Sequence, residues 1–350
     1  GSPSLKMEDQ PLMAKHPPNA GGALTRNRLR VLIIKTGHSE TLDPDPSSIA
    51  SLGDVLRSTV ILHLFPPTTH EVIWLTDPSA GALLDGVAGV DTVLSYGPLT
   101  HDRLVRMTFD VVVNLEKSAE LCLLAATIPA ERRFGFGRID GDGDLIAYPG
   151  AERALELCLD ISAKQADGMS WSAHLFSIFG ADYAGQPYLI HPGEAVADLL
   201  DIGLNHKVGV KFPLKRWPEA NWQALHDRLA PGHHVGWQES PADVRGYVDW
   251  VQGCKVVVTN DSLGMHIAMG LGKKVIALFG PTAASEIHDA PNLMKVFPNV
   301  DWPRLPCLKS HDCALGTPCM ERIAVEHVAK TVERILRCPV DTSHDAGARP

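Results

Sequence analysis

No apolar run in this sequence approaches the ~20 residues that a membrane-spanning helix requires. The first 27 residues, GSPSLKMEDQPLMAKHPPNAGGALTRN, hold no apolar signal-peptide core. Gly1-Ser2 reads as a cloning remnant. Residues 1–28 and the tail 338–350 are expected to be disordered. There is no basic surplus: the formal net charge is −9. That argues against nucleic acid as the default partner and leaves room for a local basic pocket holding phosphate. The cysteines number seven, an odd count in a chain without export features. Reduced thiols and a cytoplasmic location are the reading. No HExxH zinc motif occurs, no Asp-x-Asp pair is read as a divalent-metal site, and Cys307, Cys313 and Cys319 follow Cx5Cx5C spacing rather than the tighter pairs of zinc sites. Packed or free thiols are the plain reading of these three; His311 or Cys338 would have to complete a metal site.

What is present is alternation. The 350 residues, 45% hydrophobic, suffice for two α/β domains with real cores. Strands are predicted over 30–35, 71–75, 91–95 and 109–115, with helices from Leu52, from Asp77-Pro78 and over 119–127. Such alternation implies parallel, helix-covered sheets. The stretch 36–50 is long for a strand-to-helix loop and carries Glu40, Asp43 and Asp45. The segment 135–144, GFGRIDGDGD, reads as a glycine-turn loop. The expected organisation is an N-terminal Rossmann-like domain over 29–185, a linker over 186–206, and a second such domain over 207–323. Within the latter, strands are predicted over 207–212 and 233–236 and helices over 219–229 and 243–252. A last helix, 324–337, is expected to pack back on the first domain.

The most informative segment is 254–282, CKVVVTNDSLGMHIAMGLGKKVIALFGPT. A β-branched run stops at Asn260-Asp261-Ser262, a helix follows to Gly272, and a second apolar strand leads to Gly280-Pro281-Thr282, read as another helix start. Ser262 is positioned to cap the first helix. In open α/β sheets ligands sit at this strand-to-helix edge, and free backbone N–H groups there favour a diphosphate.

Four ordered segments resemble glycosyltransferase family 9, the ADP-heptose heptosyltransferases: SLGDVLRST (51–59), LKRWPEANWQAL (214–225), TNDSLGMHIAMGLGKKVIALFGPT (259–282) and CLKSHDCALGTPCMERI (307–323). The resemblance implies a GT-B fold, two Rossmann-like domains facing a cleft. It implies Asp54 as general base, beside Ser51 and Gly53 on the acceptor side, and Lys215 on the leaving diphosphate. It puts Asp261, Ser262, Leu263, Gly264 and His266 at the donor; Lys211, Arg216 and Thr282 are further donor-side candidates by their position. For each there is a plainer reading. Asp54 sits where a carboxylate simply complements a helix dipole, Lys211, Lys215 and Arg216 where loop cations are solvated, His266 where a packed histidine is common, and Thr282 where a cap suffices. The long 36–50 loop departs from the family pattern and leaves the acceptor open between lipopolysaccharide core, protein and a small natural product.

The function expected is therefore an inverting heptosyl transfer from ADP-heptose to an acceptor hydroxyl, requiring no cofactor. A glycosyltransferase using another nucleotide sugar, a sugar-nucleotide epimerase on the same scaffold, and a catalytically silent sugar-nucleotide binding subunit are the alternatives, because a fold alone does not separate them.

Overall fold

The structure is a computed structural model that describes residues 27–39, 48–139, 143–192, 200–239, 243–300, 305–309, 311–313 and 316–337. The expectations for most of 1–28, for 338–350, for Glu40, Asp43 and Asp45, and for Cys338 fall outside the described residues.

The first sheet contains β1 (Leu29–Ile34), β2 (His70–Thr76), β3 (Thr92–Ser95), β4 (Phe109–Asn114), β5 (Ala130–Arg138) and β6 (Leu145–Ala147), in the order β3-β2-β1-β4-β5-β6. All its pairs are parallel except β5 with β6. The helices of this half are α1 (Leu52–Ser58), α2 (Gly81–Leu84), α3 (Thr100–Leu104), α4 (Ala119–Thr127), α5 (Glu152–Leu159), α6 (Ile161–Ala166) and α7 (Trp171–Ser177). Ser118 and Ser170 cap two of these starts, accepting from Leu121 N–H and Ala173 N–H respectively, and Asp77 caps the 3-10 turn Pro78–Ala80 before α2 by accepting from Ser79 N–H.

The second sheet is wholly parallel, in the order β11-β10-β9-β7-β8, and contains β7 (Leu200–Asn205), β8 (Val235–Trp237), β9 (Cys254–Asn260), β10 (Lys274–Leu278) and β11 (Leu293–Val296). Its helices are α8 (Glu219–Leu229), α9 (Val244–Gln252), α10 (Leu263–Gly270) and α11 (Val325–Arg337). Period-two alternation divides the core. Val31, Ile33, Val111 and Val113 share one cluster with Val257 and Met265 of the second half, whereas Leu32, Ile34 and Val112 face α4 on the other side. Both strand orders reverse at one point, between β1 and β4 and between β7 and β9. Crevices open at the carboxyl ends of strands at such points, and α1 packs on α10 so that the two crevices share a cleft.

Four expectations are corrected. The strand expected over 207–212 is loop; β7 precedes it, inside the stretch expected to be a linker. Asp201 and Gly203 interrupt its apolar run, yet central burial between β8 and β9 overrides that weak pattern. Residues 135–138 belong to β5 rather than to a loop. Gly135 has φ +89, and a Cβ there would stand 2.0 Å from the Asn114 carbonyl oxygen, so the glycine serves strand packing and not a turn. The last helix does not return to the first half: Val328, Ala329 and Val332 pack with Leu225, Leu229, Ile276 and Leu278. Gly280-Pro281-Thr282 leads only to a single 3-10 turn, Ala284–Glu286.

Candidate active site

The acceptor-side wall is built where β1 ends. A charged residue closing a buried parallel strand must find partners, and Lys35, fully buried, finds three. Its Nζ meets the Asp54 carboxylate, donates to the Ser39 carbonyl at 2.7 Å and lies 3.6 Å from Glu116. Glu116, just past β4, accepts from the N–H groups of Thr36, Gly37 and Ser39 at 2.7, 2.8 and 3.0 Å. That ties the start of the long loop to the sheet. Asp54, in the first turn of α1, also accepts at Oδ1 from Arg57 Nε and Nη2, both at 2.7 Å. Burial alone would raise the Asp54 carboxyl, but the charges and hydrogen bonds of Lys35 and Arg57 prevail and hold it well below the usual carboxylate range.

The donor-side wall is built where β9 ends. Lys215 Nζ pairs with Asp261 at 3.0 Å and lies 4.8 Å from the Phe212 ring centroid. Thr282 Oγ donates to Asp261 Oδ2 at 2.7 Å. Burial raises the Asp261 carboxyl, and Lys215, His266 and Thr282 more than reverse this, to about 2. Ser262 precedes α10 in extended backbone and makes no side-chain cap. Its hydroxyl instead accepts from Asn205 Nδ2 at 2.9 Å, so the first N–H groups of α10 are not taken by it. His266 is 6% exposed and its Nδ1 has no partner. Burial, then the neighbouring Arg57, lowers its pKa to about 3, which keeps the imidazole neutral.

These walls enclose a cavity of about 290 Å³. Of the residues singled out from sequence, Ser51, Gly53, Asp54, Lys211, Lys215, Asp261, Ser262, Leu263, His266 and Thr282 line it. Arg216 and Gly264 do not. Arg216 is exposed on the loop past Lys215. Gly264 backs onto Asn205 and Tyr247, where a Cβ would stand 2.3 and 2.4 Å from their polar atoms, so it serves packing inside the domain. Missing from the sequence reading are Lys35, Arg57, Lys164 and Glu286. Lys35 was signalled by its place at the end of β1, and Arg57 by its i+3 spacing from Asp54; Lys164 and Glu286 carried no local signal. The Cys319 thiol is raised to about 11, first by burial and then by the neighbouring Cys307 and Cys313. Among the described residues no group of three or more His, Cys, Asp or Glu side chains stands ready to hold a metal ion.

The family model described as glycosyltransferase family 9 (heptosyltransferase) matches residues 241–316. Lipooligosaccharide heptosyltransferase 2 of Haemophilus influenzae is 33% identical over 104 residues, a match covering 21% of this chain and 30% of that protein. The chain thus matches less than a third of that relative's length. Solved structures agree over nearly everything. The family 9 glycosyl transferase of Veillonella parvula superposes with a TM-score of 0.59 at 16% identity, covering 90% of this chain and 99% of its own. The E. coli heptosyltransferase WaaC with ADP gives 0.58 at 15% identity, covering 88% and 100%. The iron-containing dodecameric glycosyltransferase TibC of enterotoxigenic E. coli gives 0.54 at 13% identity, covering 89% and 77%. At such identities the likeness shows the fold, GT-B. A segment matching the family 9 model, residues 241–316, is thus carried on a GT-B fold.

Proposed function

We propose that this chain transfers a heptose from ADP-heptose to an acceptor hydroxyl with inversion at the anomeric carbon. The carrying observation is the opposition, in one cleft, of a carboxylate on the acceptor wall, Asp54, to a cation beside a helix start on the donor wall, Lys215 at the N-terminus of α10. The diphosphate meets Lys215 and the N–H group of Leu263, which favour negative charge as the leaving group departs. Asp261, already ionised and oriented by Thr282, is placed to hold the sugar; when the diphosphate draws Lys215 away, Asp261 is freed to accept its hydroxyls. Asp54 receives the acceptor proton. A carboxylate held between two cations is a weak base, so the proton leaves as the new C–O bond forms and acidifies it, not before. The donor reading is supported by the neighbours, WaaC being solved with ADP and TibC with ADP-D-β-D-heptose.

Two measurements test this. Calorimetric titration with ADP, UDP, GDP and ADP-heptose is expected to show selective binding of the adenosine compounds, weakened at least about tenfold by Lys215→Ala, the loss of one charge-assisted contact. Tighter binding of UDP or GDP overturns the donor; no binding at all returns the silent-subunit reading. Asp54→Asn is expected to lower turnover by ~10²–10⁴ with ADP affinity kept, and an Asn variant of near-normal turnover removes Asp54 from the base role.

A further inference from the structure

Arg57 is 8% exposed, and its guanidinium lies 5.7 Å from the Trp171 ring centroid. Two of its nitrogens hold Oδ1 of Asp54, and the third, Nη1, crosses the cleft to Glu286 Oε2 at 3.3 Å. The other oxygen of Glu286 faces Lys164 Nζ at 3.4 Å. One carboxylate from the donor-side half is thus gripped by two cations from the acceptor-side half, and one of those cations also fixes the carboxylate that meets the acceptor.

We propose that Glu286 and Arg57 are positioning residues: the bridge that Glu286 makes across the cleft sets where the Arg57 guanidinium stands and how much of its charge Asp54 feels. This rests on the reading of Asp54 as the base. The Glu286 carboxylate, paired to the same guanidinium, offsets part of that cation's field at Asp54. Without Glu286 the guanidinium, already bound to Asp54 through two nitrogens, acts on it without that offset, and the carboxylate becomes a poorer proton acceptor. With the bridge made, Asp54 is at its most basic when the walls are together and the site is shielded. Proton removal is thereby tied to closure, and an open cleft leaves the donor safe from water.

The test uses the full chain and ADP release from ADP-heptose, with water as the acceptor. Glu286→Gln is expected to lower kcat about tenfold, the Brønsted response of a weakened base, with donor KM unchanged. Glu286→Asp restores most of it. In an Arg57→Met background, Glu286→Gln costs nothing more, because the path through the guanidinium is already gone. A raised donor KM, or the same fold loss in both backgrounds, overturns the proposal and makes Glu286 a direct donor contact. Urea midpoints of wild type, Glu286→Gln, Arg57→Met and the double variant give a reading independent of turnover: non-additive shifts support the bridge and additive shifts deny it. Asp54→Asn is the control. If it keeps wild-type turnover, the base reading fails, while the urea cycle still judges the bridge by itself.

Discussion

Asp261 and Asp54 are carboxylates that evolution has surrounded with cations before any ligand arrives, and this sets their pH behaviour. Asp261 drops from 3.8 to about 2 on folding. A depressed carboxylate adds stability that is present above its unfolded value and is lost as pH falls through the folded one. Its share is therefore complete near neutrality and vanishes between about pH 4 and pH 2, amounting to about 2 kcal/mol. Asp54, lowered further, has the same sign. Urea unfolding of wild type and Asp261→Asn checks this: the gap between them is expected to be widest near pH 7 and to close by pH 2. A gap that stays constant with pH shows that Lys215 does not hold Asp261. Asp54 and Asp261 were legible in the sequence because one opens a helix and the other follows a strand, and Lys215 because it lies inside a recognisable motif, although the strand expected before it is loop. Glu286 was not, since nothing local in TAASEIHD says that its carboxylate reaches across a cleft to Arg57. Arg216 misled for the opposite reason, a cation beside the right one whose side chain leaves the cleft.

At the scale of elements, strongly apolar segments were readable and weakly apolar ones were not. The expectation of a helix over 119–127 coincides with α4, and β9, α10 and β10 fall within 254–282, because each is an apolar run bounded by polar or turn residues. β7 was missed although it is central, because LDIGLN places a charge and a glycine in six residues, while the neighbouring VGVKF alternates as a strand should. Pairing with β8 and β9 decided the matter, and pairing is not visible in a window. The same holds for the contact of α1 with α10. Gly53 is required there, since a Cβ would stand 2.9 Å from His266 Cδ2, and His266 is itself backed by Tyr188, 5.7 Å away between ring centroids. Gly53→Ala is therefore expected to cost about 1–3 kcal/mol by overpacking. It should also slow turnover, because Asp54 rides on the next residue of the same helix. Thermal unfolding and ADP release together check this; a stable, fully active Gly53→Ala protein means that the two helices have room to part.

For the whole molecule, the two sheets do not keep separate cores. One cluster runs from Val55, Leu56 and Tyr188 to Val248, Met265 and Phe279, so the two halves bury apolar surface against each other. The Arg57–Glu286 and Lys164–Glu286 pairs and the bond from Ser285 Oγ to the Asp167 carbonyl (3.1 Å) reinforce the same seam. A seam this apolar couples the halves in unfolding, where a wet, polar one lets each melt by itself. The expected result is one cooperative urea transition, coincident by far-ultraviolet circular dichroism and tryptophan fluorescence. The fluorescence reports on both halves, because Trp74 and Trp171 are buried in the first and Trp217 and Trp222 in the second. ADP, proposed to bind only the second half, then serves as a probe of coupling. At a concentration one hundred times its dissociation constant it adds about 2.7 kcal/mol to whatever unit it binds. If the seam holds the molecule together, the single transition moves as a whole under both probes. If ADP shifts only part of the signal and leaves an earlier transition where it was, the halves unfold independently, and the cleft is closed by its ligands rather than by its core.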